Sequence, residues 1–172
     1  MARRYRVEAF DKMQFFYGDM HKPRIQCFMR LSGHIDVAAL KKAVSISKEA
    51  IPMICCGFDE KPWRPYWREI DLSEEDIVHL VEGPTEGLLD TDIDIVNGPQ
   101  LKIMINRETD RDTLYIVINH MVCDGGGFKE YLYLLCDLYT KCKYNQKDIP
   151  VPQCYSRGTA QLFKKIGWIE RI

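Results

Sequence analysis

Two apolar segments close together in the second half of the chain restrict its fold most strongly. Residues 101–106 have the sequence LKIMIN, in which apolar and polar side chains nearly alternate, and residues 114–119 have the almost entirely apolar sequence LYIVIN. The first pattern is typical of a strand with one covered face, and the second of a strand covered on both faces. Because residues 108–112 between them are polar, the two segments predict an antiparallel β-hairpin.

Helical and strand-like patterns alternate along the rest of the chain. The sequence predicts strands at residues 24–31, 53–58 and near 66–70, helices at residues 36–50, 73–82, 128–142 and 159–168, and a loop over residues 83–99. Asp36 is the expected N-cap of the first of these helices, and residues 73–76 resemble a capping box. This alternation predicts an α/β fold, a two-layer sandwich in which helices pack on a mixed, largely antiparallel sheet.

Composition is typical of a globular protein. The 172 residues are 46% hydrophobic and 28% charged, which predicts a single domain over residues 1–172 with a substantial core. The 24 basic and 25 acidic residues leave a net charge of −1, which argues against nucleic-acid binding. The apolar runs are too short for a membrane span, and no apolar segment follows the basic N-terminus as in a secretory signal. We therefore expect a cytoplasmic protein.

Seven cysteines are present, and their spacing does not indicate a metal site. No Cys-x-x-Cys pair and no His-x3–5-His pair occurs, and Cys55 and Cys56 are adjacent. Free thiols in a reducing compartment are the simplest interpretation. Cys123 lies in the chemically richest segment of the chain, but a packing role is favoured over a nucleophilic one because no base is evident for it.

The segment with the clearest chemical potential is residues 118–128, INHMVCDGGGF. It places His120 at the end of the apolar strand, Asp124 four residues later, and three glycines before a helix. Histidine is the side chain best suited to take up and return a proton near neutral pH, and a strand end holds it at a fixed point. The alternative is a core histidine bonded to the backbone, which the sequence context makes less favourable here.

His120-x-x-x-Asp124-Gly125 resembles the HxxxDG motif of the chloramphenicol acetyltransferase-like superfamily, which includes condensation domains, alcohol O-acyltransferases and wax ester synthases. Residues 92–101, DIDIVNGPQL, are similar to the segment that leads into the family's hairpin. The resemblance extends over about residues 5–145. The position of His120 in the chain is similar to that in the N-terminal lobe of two-lobed members, which leaves residues 155–172 as a C-terminal helical extension.

The resemblance implies a role for each residue of the motif. His120 would be the general base that deprotonates an alcohol or amine for attack on an acyl thioester, and it would then protonate the departing thiolate. Asp124 would be structural and would pair with an arginine. Gly125 would permit the turn, and the N–H groups of Gly125 or Gly126 would face the oxyanion. No permanently bound cofactor and no metal is implied, and coenzyme A thioester is the expected co-substrate.

Two positions depart from the family pattern. Condensation domains usually have a second histidine directly before the catalytic one, where this chain has Asn119, and this favours the coenzyme A-dependent branches. Cys55 occupies the place of the arginine that often pairs with the motif aspartate. Arg24 and Arg30 are then both candidates for that pairing, because a buried unpaired carboxylate would be costly.

Three functional hypotheses follow. The first is the lobe of an acyl-CoA-dependent O-acyltransferase with a small alcohol or amine as acceptor. The second is a condensation-type domain that uses an acyl-carrier protein. The third is a non-catalytic binding module that retains the fold. Because a lobe of this kind would expose an apolar face, we also expect a homo-oligomer or a partner C-terminal lobe.

Overall fold

The computed structural model describes residues 2–18, 20, 22–61, 63–81, 91–147 and 149–150. Seven strands, three α-helices and two short 3-10 turns are found in this part of the chain. In chain order they are β1 (Arg4–Arg6), α1 (Ala9–Phe16), β2 (Arg24–Arg30), α2 (Val37–Ala50), a 3-10 turn (Pro52–Cys55), β3 (Cys56–Asp59), β4 (Tyr66–Glu69), a second 3-10 turn (Glu74–Asp76), β5 (Val78–Val81), β6 (Leu101–Arg107), β7 (Asp112–Asn119) and α3 (Gly125–Lys143). The predicted α/β class is confirmed.

The main sheet has four strands in the order β2-β7-β6-β5. The hairpin of β6 and β7 is antiparallel as predicted, β2 pairs antiparallel with the other edge of β7, and β5 pairs parallel with β6. All eight residues of β7 are buried. On one face its side chains join the main core, and on the other Tyr115 and Val117 form a smaller cluster with Met104. Because β7 is covered on both faces, it is a rigid support for the residues that follow Asn119.

The helix predicted over residues 73–82 is wrong. The capping interaction does form, since the backbone N–H and hydroxyl of Ser73 both donate to Asp76 at 2.8 Å, but only one 3-10 turn follows. Residues 78–81 are instead a strand, because pairing with β6 completes the sheet edge and buries Val78. Tertiary pairing outweighs the local helix signal here.

A second sheet, with the strand order β1-β4-β3, lies beside the first, and its strands are antiparallel. The strand predicted over residues 53–58 begins only at Cys56, since Pro52 starts a 3-10 turn. Trp67 on β4 is fully buried, and its indole N–H donates to the buried carboxylate of Asp11 on α1 at 2.9 Å. This bond fastens α1, which the sequence analysis did not predict, to the second sheet.

The two long helices lie against each other and cover one face of the main sheet. Asp36 caps α2 as predicted, accepting from the backbone N–H of Ala39 at 3.0 Å. α3 begins three residues earlier than predicted, at Gly125. The predicted C-terminal extension over residues 155–172, with its helix at residues 159–168, lies outside the described residues. No helix in the described part of the chain is long and apolar enough to cross a membrane.

Candidate active site at the end of strand β7

His120 is the first residue after β7 and is held from two sides. Its backbone N–H donates to the carbonyl oxygen of Pro23, just before β2, at 2.8 Å. Its ring is partly buried, and the ring of Phe10 on α1 lies against it with 5.5 Å between centroids and an interplanar angle of 42°. The imidazole therefore lies where the main sheet meets α1, on a rigid support.

The two ring nitrogens of His120 have different surroundings. Nδ1 is buried and has no hydrogen-bond partner among the described residues. Nε2 is not among the buried atoms without a partner, and no described group bonds to it, so this nitrogen is at least partly accessible. With the proton on Nδ1, the lone pair of Nε2 points outward and can accept a proton from a ligand. The ring is thus neither sealed in the core nor fully exposed.

Asn119 stabilises the chain directly before the histidine. Its side chain is 1% exposed, Nδ2 donates to Oε1 of Gln100 at 2.6 Å, and Oδ1 accepts from the backbone N–H of Met121 at 2.9 Å. The Gln100 amide in turn donates to the carbonyl oxygen of Gly98 at 2.9 Å. Asn119, at the position where the motif resemblance implies a second histidine in condensation domains, therefore links the strand end to the segment that leads into the hairpin.

Asp124 is the N-cap of α3, and its carboxylate accepts from the backbone N–H of Gly127 at 2.7 Å. Neither arginine expected as its partner pairs with it. Arg24 donates to the carbonyl oxygen of Thr91 at 2.8 Å, and Arg30 is exposed. The expectation failed because Asp124 is itself exposed, so that water and the helix terminus stabilise its charge.

Cys55 lies where the motif resemblance implies an arginine, and it cannot replace the charge of that arginine. The thiol is buried, and burial raises its pKa to about 11, so it is neutral at physiological pH. A neutral side chain at this place is consistent with a motif aspartate that has no cationic partner in the described residues.

The three glycines form the first turn of α3 rather than the loop that the sequence predicted. A Cβ on Gly125 would meet no atom within 4 Å, whereas a Cβ on Gly127 would lie 2.9 Å from Cβ of Cys123. Packing therefore requires a glycine at position 127, which the sequence analysis did not single out. The N–H groups of Gly125 and Gly126 have no described partner and form the positive end of the helix dipole.

A small cavity of about 190 Å³ lies next to the histidine's strand end, between Gly18, Asn119 and a cluster of charged side chains. In this cluster the ammonium group of Lys22 donates to Asp92 at 2.9 Å and holds the pKa of that carboxyl below its usual range. Two larger grooves, of about 450 and 610 Å³, lie elsewhere, and His120 lines neither of them. Cavity volume alone would therefore not identify the region around His120 as the candidate site.

The opposite end of the hairpin is fixed by a buried carboxylate. Asp112 is fully buried, bonds to the guanidinium of Arg107 at 2.8 and 3.0 Å, accepts from the backbone N–H of Ile35 at 2.8 Å, and lies 3.0 Å from Nδ1 of His34. The guanidinium holds the pKa of Asp112 far below its usual range. This network orders the start of β7, far along the strand from His120, and has a structural role.

Comparison with protein family models found no match, and no curated protein matched. Solved structures do match. The epimerization domain from the third module of tyrocidine synthetase B is 16% identical over 89% of this chain and 37% of its own, with a TM-score of 0.71. Polyketide synthase associated protein 5 from Mycobacterium tuberculosis is 16% identical over 95% of this chain and 39% of its own, also with a TM-score of 0.71.

The starter condensation domain of rhizomide synthetase matches 99% of this chain and 44% of its own length, with 11% identity and a TM-score of 0.68. This chain thus spans less than half the length of each of these three structures. At these identities the likeness concerns the fold, which is the fold that the His120 motif predicted. The chain has the fold of the N-terminal lobe of chloramphenicol acetyltransferase-like proteins.

Proposed function

We propose that this chain forms the histidine-bearing part of an acyl-transfer site that acts on thioesters. Nε2 of His120 takes the proton from an acceptor hydroxyl or amine, whose oxygen or nitrogen forms a bond to the acyl carbon. The carbon–sulfur bond then breaks, and the imidazolium returns the proton to the departing thiolate. The proposal rests on a single observation, an imidazole at the end of a rigid strand with Nδ1 buried and Nε2 not fully buried and without a described partner.

We propose a pantetheine thioester as the donor, since coenzyme A and carrier proteins share this arm. The similarity to a starter condensation domain supports the carrier-protein form, because the motif resemblance associates condensation domains with carrier-bound thioesters. Asn119 in place of the second histidine supports the coenzyme A form with an alcohol acceptor. The two donors are separate arms of the test.

The experiment is acyl transfer by the purified chain. Acyl-CoA and acyl-N-acetylcysteamine thioesters, the latter mimicking the carrier-bound arm, are each offered with a panel of alcohols and amines. Products are separated by liquid chromatography and mass spectrometry, because the seven cysteines of this chain would react with a thiol reagent. A well-placed base contributes about 10²–10⁴ in rate, so His120→Ala should lose that factor.

His79→Ala is the matched control, since His79 lies on β5 at the far edge of the main sheet and should leave the rate unchanged. Turnover that survives in His120→Ala would contradict the proposal. The thioester that is turned over identifies the donor. The N-acetylcysteamine thioester lacks the nucleotide of coenzyme A, which only a coenzyme A site would contact.

A non-catalytic binding module is the second candidate, and one observation favours it. Asp124 has no arginine partner among the described residues, so the loop that carries His120 lacks the ion pair that the resemblance implies. In that case the chain would bind a pantetheine thioester without turnover. Shifts of the His120 ring signals on addition of acetyl-CoA, without product, would support the module.

A further inference from the structure

Two buried polar atoms near the motif have no hydrogen-bond partner in the described part of the chain, and they complement each other. One is Nδ1 of His120, and the other is Oε1 of Gln14 on α1, whose side chain is 9% exposed. Leaving a buried donor or acceptor unpaired is unfavourable, so a bond between the two atoms would stabilise the fold. Nδ1 can carry a proton and donate it, while an amide oxygen can only accept.

Helix α1 places these two atoms in the same region. Phe10 lies one helical turn before Gln14 on the same face, and its ring is in contact with the ring of His120. Gly18, four residues after Gln14 and just beyond the helix, lines the small cavity together with Asn119. Gln14 is thus located on α1 between a residue whose ring contacts His120 and a residue that lines a cavity together with Asn119.

The other buried polar side chains near this junction already have partners. The carboxylate of Asp11, the other buried polar residue of α1, accepts from the indole N–H of Trp67 and from the backbone N–H of Glu8. The amide of Asn119 uses its oxygen for Met121 and its nitrogen for Gln100. Among these side chains, Gln14 is the one whose acceptor has no described donor.

We propose that Gln14 is a positioning residue for His120. Its Oε1 accepts the Nδ1 proton of the imidazole, either directly after a side-chain rotation or through one bridging water. The bond holds neutral His120 in the tautomer with its proton on Nδ1, which leaves the lone pair of Nε2 free to accept a proton. This inference deepens the proposed function, on which its catalytic consequence rests, but the tautomer itself is measurable without any activity.

The test is the tautomer of His120 in the full chain labelled with ¹⁵N-histidine. The chain has four histidines, and His120→Ala assigns the signal. Spectra are recorded about two pH units above the ordinary histidine pKa of about 6.5, where neutral rings predominate. The variants are Gln14→Leu, which removes the acceptor, and Gln14→Glu, which keeps one. Met13→Leu, on an exposed neighbouring position of α1, is the control.

We expect the Nδ1–H tautomer in the wild type, Met13→Leu and Gln14→Glu. In Gln14→Leu the ratio of the two tautomers should shift toward Nε2–H by about three- to tenfold, the equivalent of one net hydrogen bond. If acyl transfer is detected, kcat should fall in proportion to the population of the Nδ1–H tautomer, by at most the same factor, while KM stays constant because the acceptor oxygen does not contact the substrate.

An unchanged tautomer in Gln14→Leu, or an Nε2–H tautomer in the wild type, would overturn the inference. Should Gln14→Leu fail to fold, Gln14→Glu still decides, since a loss of the Nδ1–H tautomer there would contradict the proposal. If the tautomer shifts as expected and no variant transfers an acyl group, the proposed function fails while the role of Gln14 in orienting the ring is retained.

Discussion

Replacing Asn119 by leucine tests how the strand end is stabilised next to His120. The change keeps the branched heavy-atom skeleton of the side chain and removes both bonds of the amide, the one donated to Gln100 and the one accepted from the N–H of Met121. In the variant Oε1 of Gln100 remains buried at the junction, and its donor is gone. The perturbation is therefore a loss of hydrogen bonds in a dry environment with little change of shape.

The expected cost follows from these two bonds. Leaving Oε1 of Gln100 unpaired costs about 1–3 kcal/mol, and the lost bond to Met121 contributes about 0.5–1.5 kcal/mol. Asn119→Leu should thus lower the free energy of unfolding by about 1.5–4.5 kcal/mol. Each single variant leaves one amide buried without its partner, whereas the double variant Asn119→Leu/Gln100→Leu removes both amides. The double variant should therefore lose at least about 0.5 kcal/mol less unfolding free energy than the two single variants together.

The free energy of unfolding of all three variants is measured by urea unfolding, followed by circular dichroism. The variants can be compared if the slope of this free energy against urea concentration is the same in each. Asn97→Leu, at an exposed position of the segment before the hairpin, is the control and should change stability by less than about 0.5 kcal/mol. A cost below about 1 kcal/mol for Asn119→Leu, or strictly additive single costs, would refute the argument that this amide pair supports the strand end.

Three further predictions concern the glycine turn, acid stability and self-association. Gly127→Ala should lower the free energy of unfolding by about 1–3 kcal/mol, because the new Cβ would lie 2.9 Å from Cβ of Cys123. Gly125→Ala adds a Cβ in open space and should raise this free energy by about 0.4–1 kcal/mol. Equal effects of the two substitutions in urea unfolding would contradict this prediction. A lysine ammonium lowers the pKa of Glu74 from 4.5 to about 2, so this carboxylate stabilises the fold above pH 4.5 and loses that contribution as the pH falls toward 2. Glu74→Gln should therefore destabilise the chain near neutral pH and have little effect near pH 2, and an equal loss at both would count against the pairing. Phe16 and Trp63 are 75% and 95% exposed around one groove, so replacing both by serine should weaken self-association in light scattering, and a monomeric wild type at high concentration would argue against the expected oligomer.

The parts of the fold that the sequence predicted are those in which local pattern and tertiary environment agree. The run 114–119 is apolar at nearly every position because β7 is covered on both faces, and the alternation over 24–31 corresponds to a strand at the sheet edge. Asp36 could be identified as a cap because the interaction spans only three residues. In such segments the residues that are neighbours in the sequence contain the information that specifies the local structure.

The predictions failed where a distant partner decides the structure. Ser73 begins a capping box, yet only a 3-10 turn follows and residues 78–81 form a strand, because pairing with the edge of β6 buries Val78 in the core. α1 was missed because its apolar spacing is weak and two of its inward-facing side chains, Asp11 and Gln14, are polar. The buried indole of Trp67 and the backbone N–H of Glu8, which both donate to Asp11, explain a carboxylate at that position.

In the candidate site, too, the local features could be predicted from the sequence and the features that depend on distant partners could not. His120 could be identified from sequence because its motif is local, whereas the partners that orient it come from α1 and from the segment before the hairpin. The arginine expected for Asp124 illustrates the physical reason. A carboxylate needs a counter-charge when it is buried, and burial depends on how the chain folds. Asp124 is exposed and bonds to a helix terminus, so the requirement does not arise, while Asp112, which no motif marked, is buried and has an arginine partner.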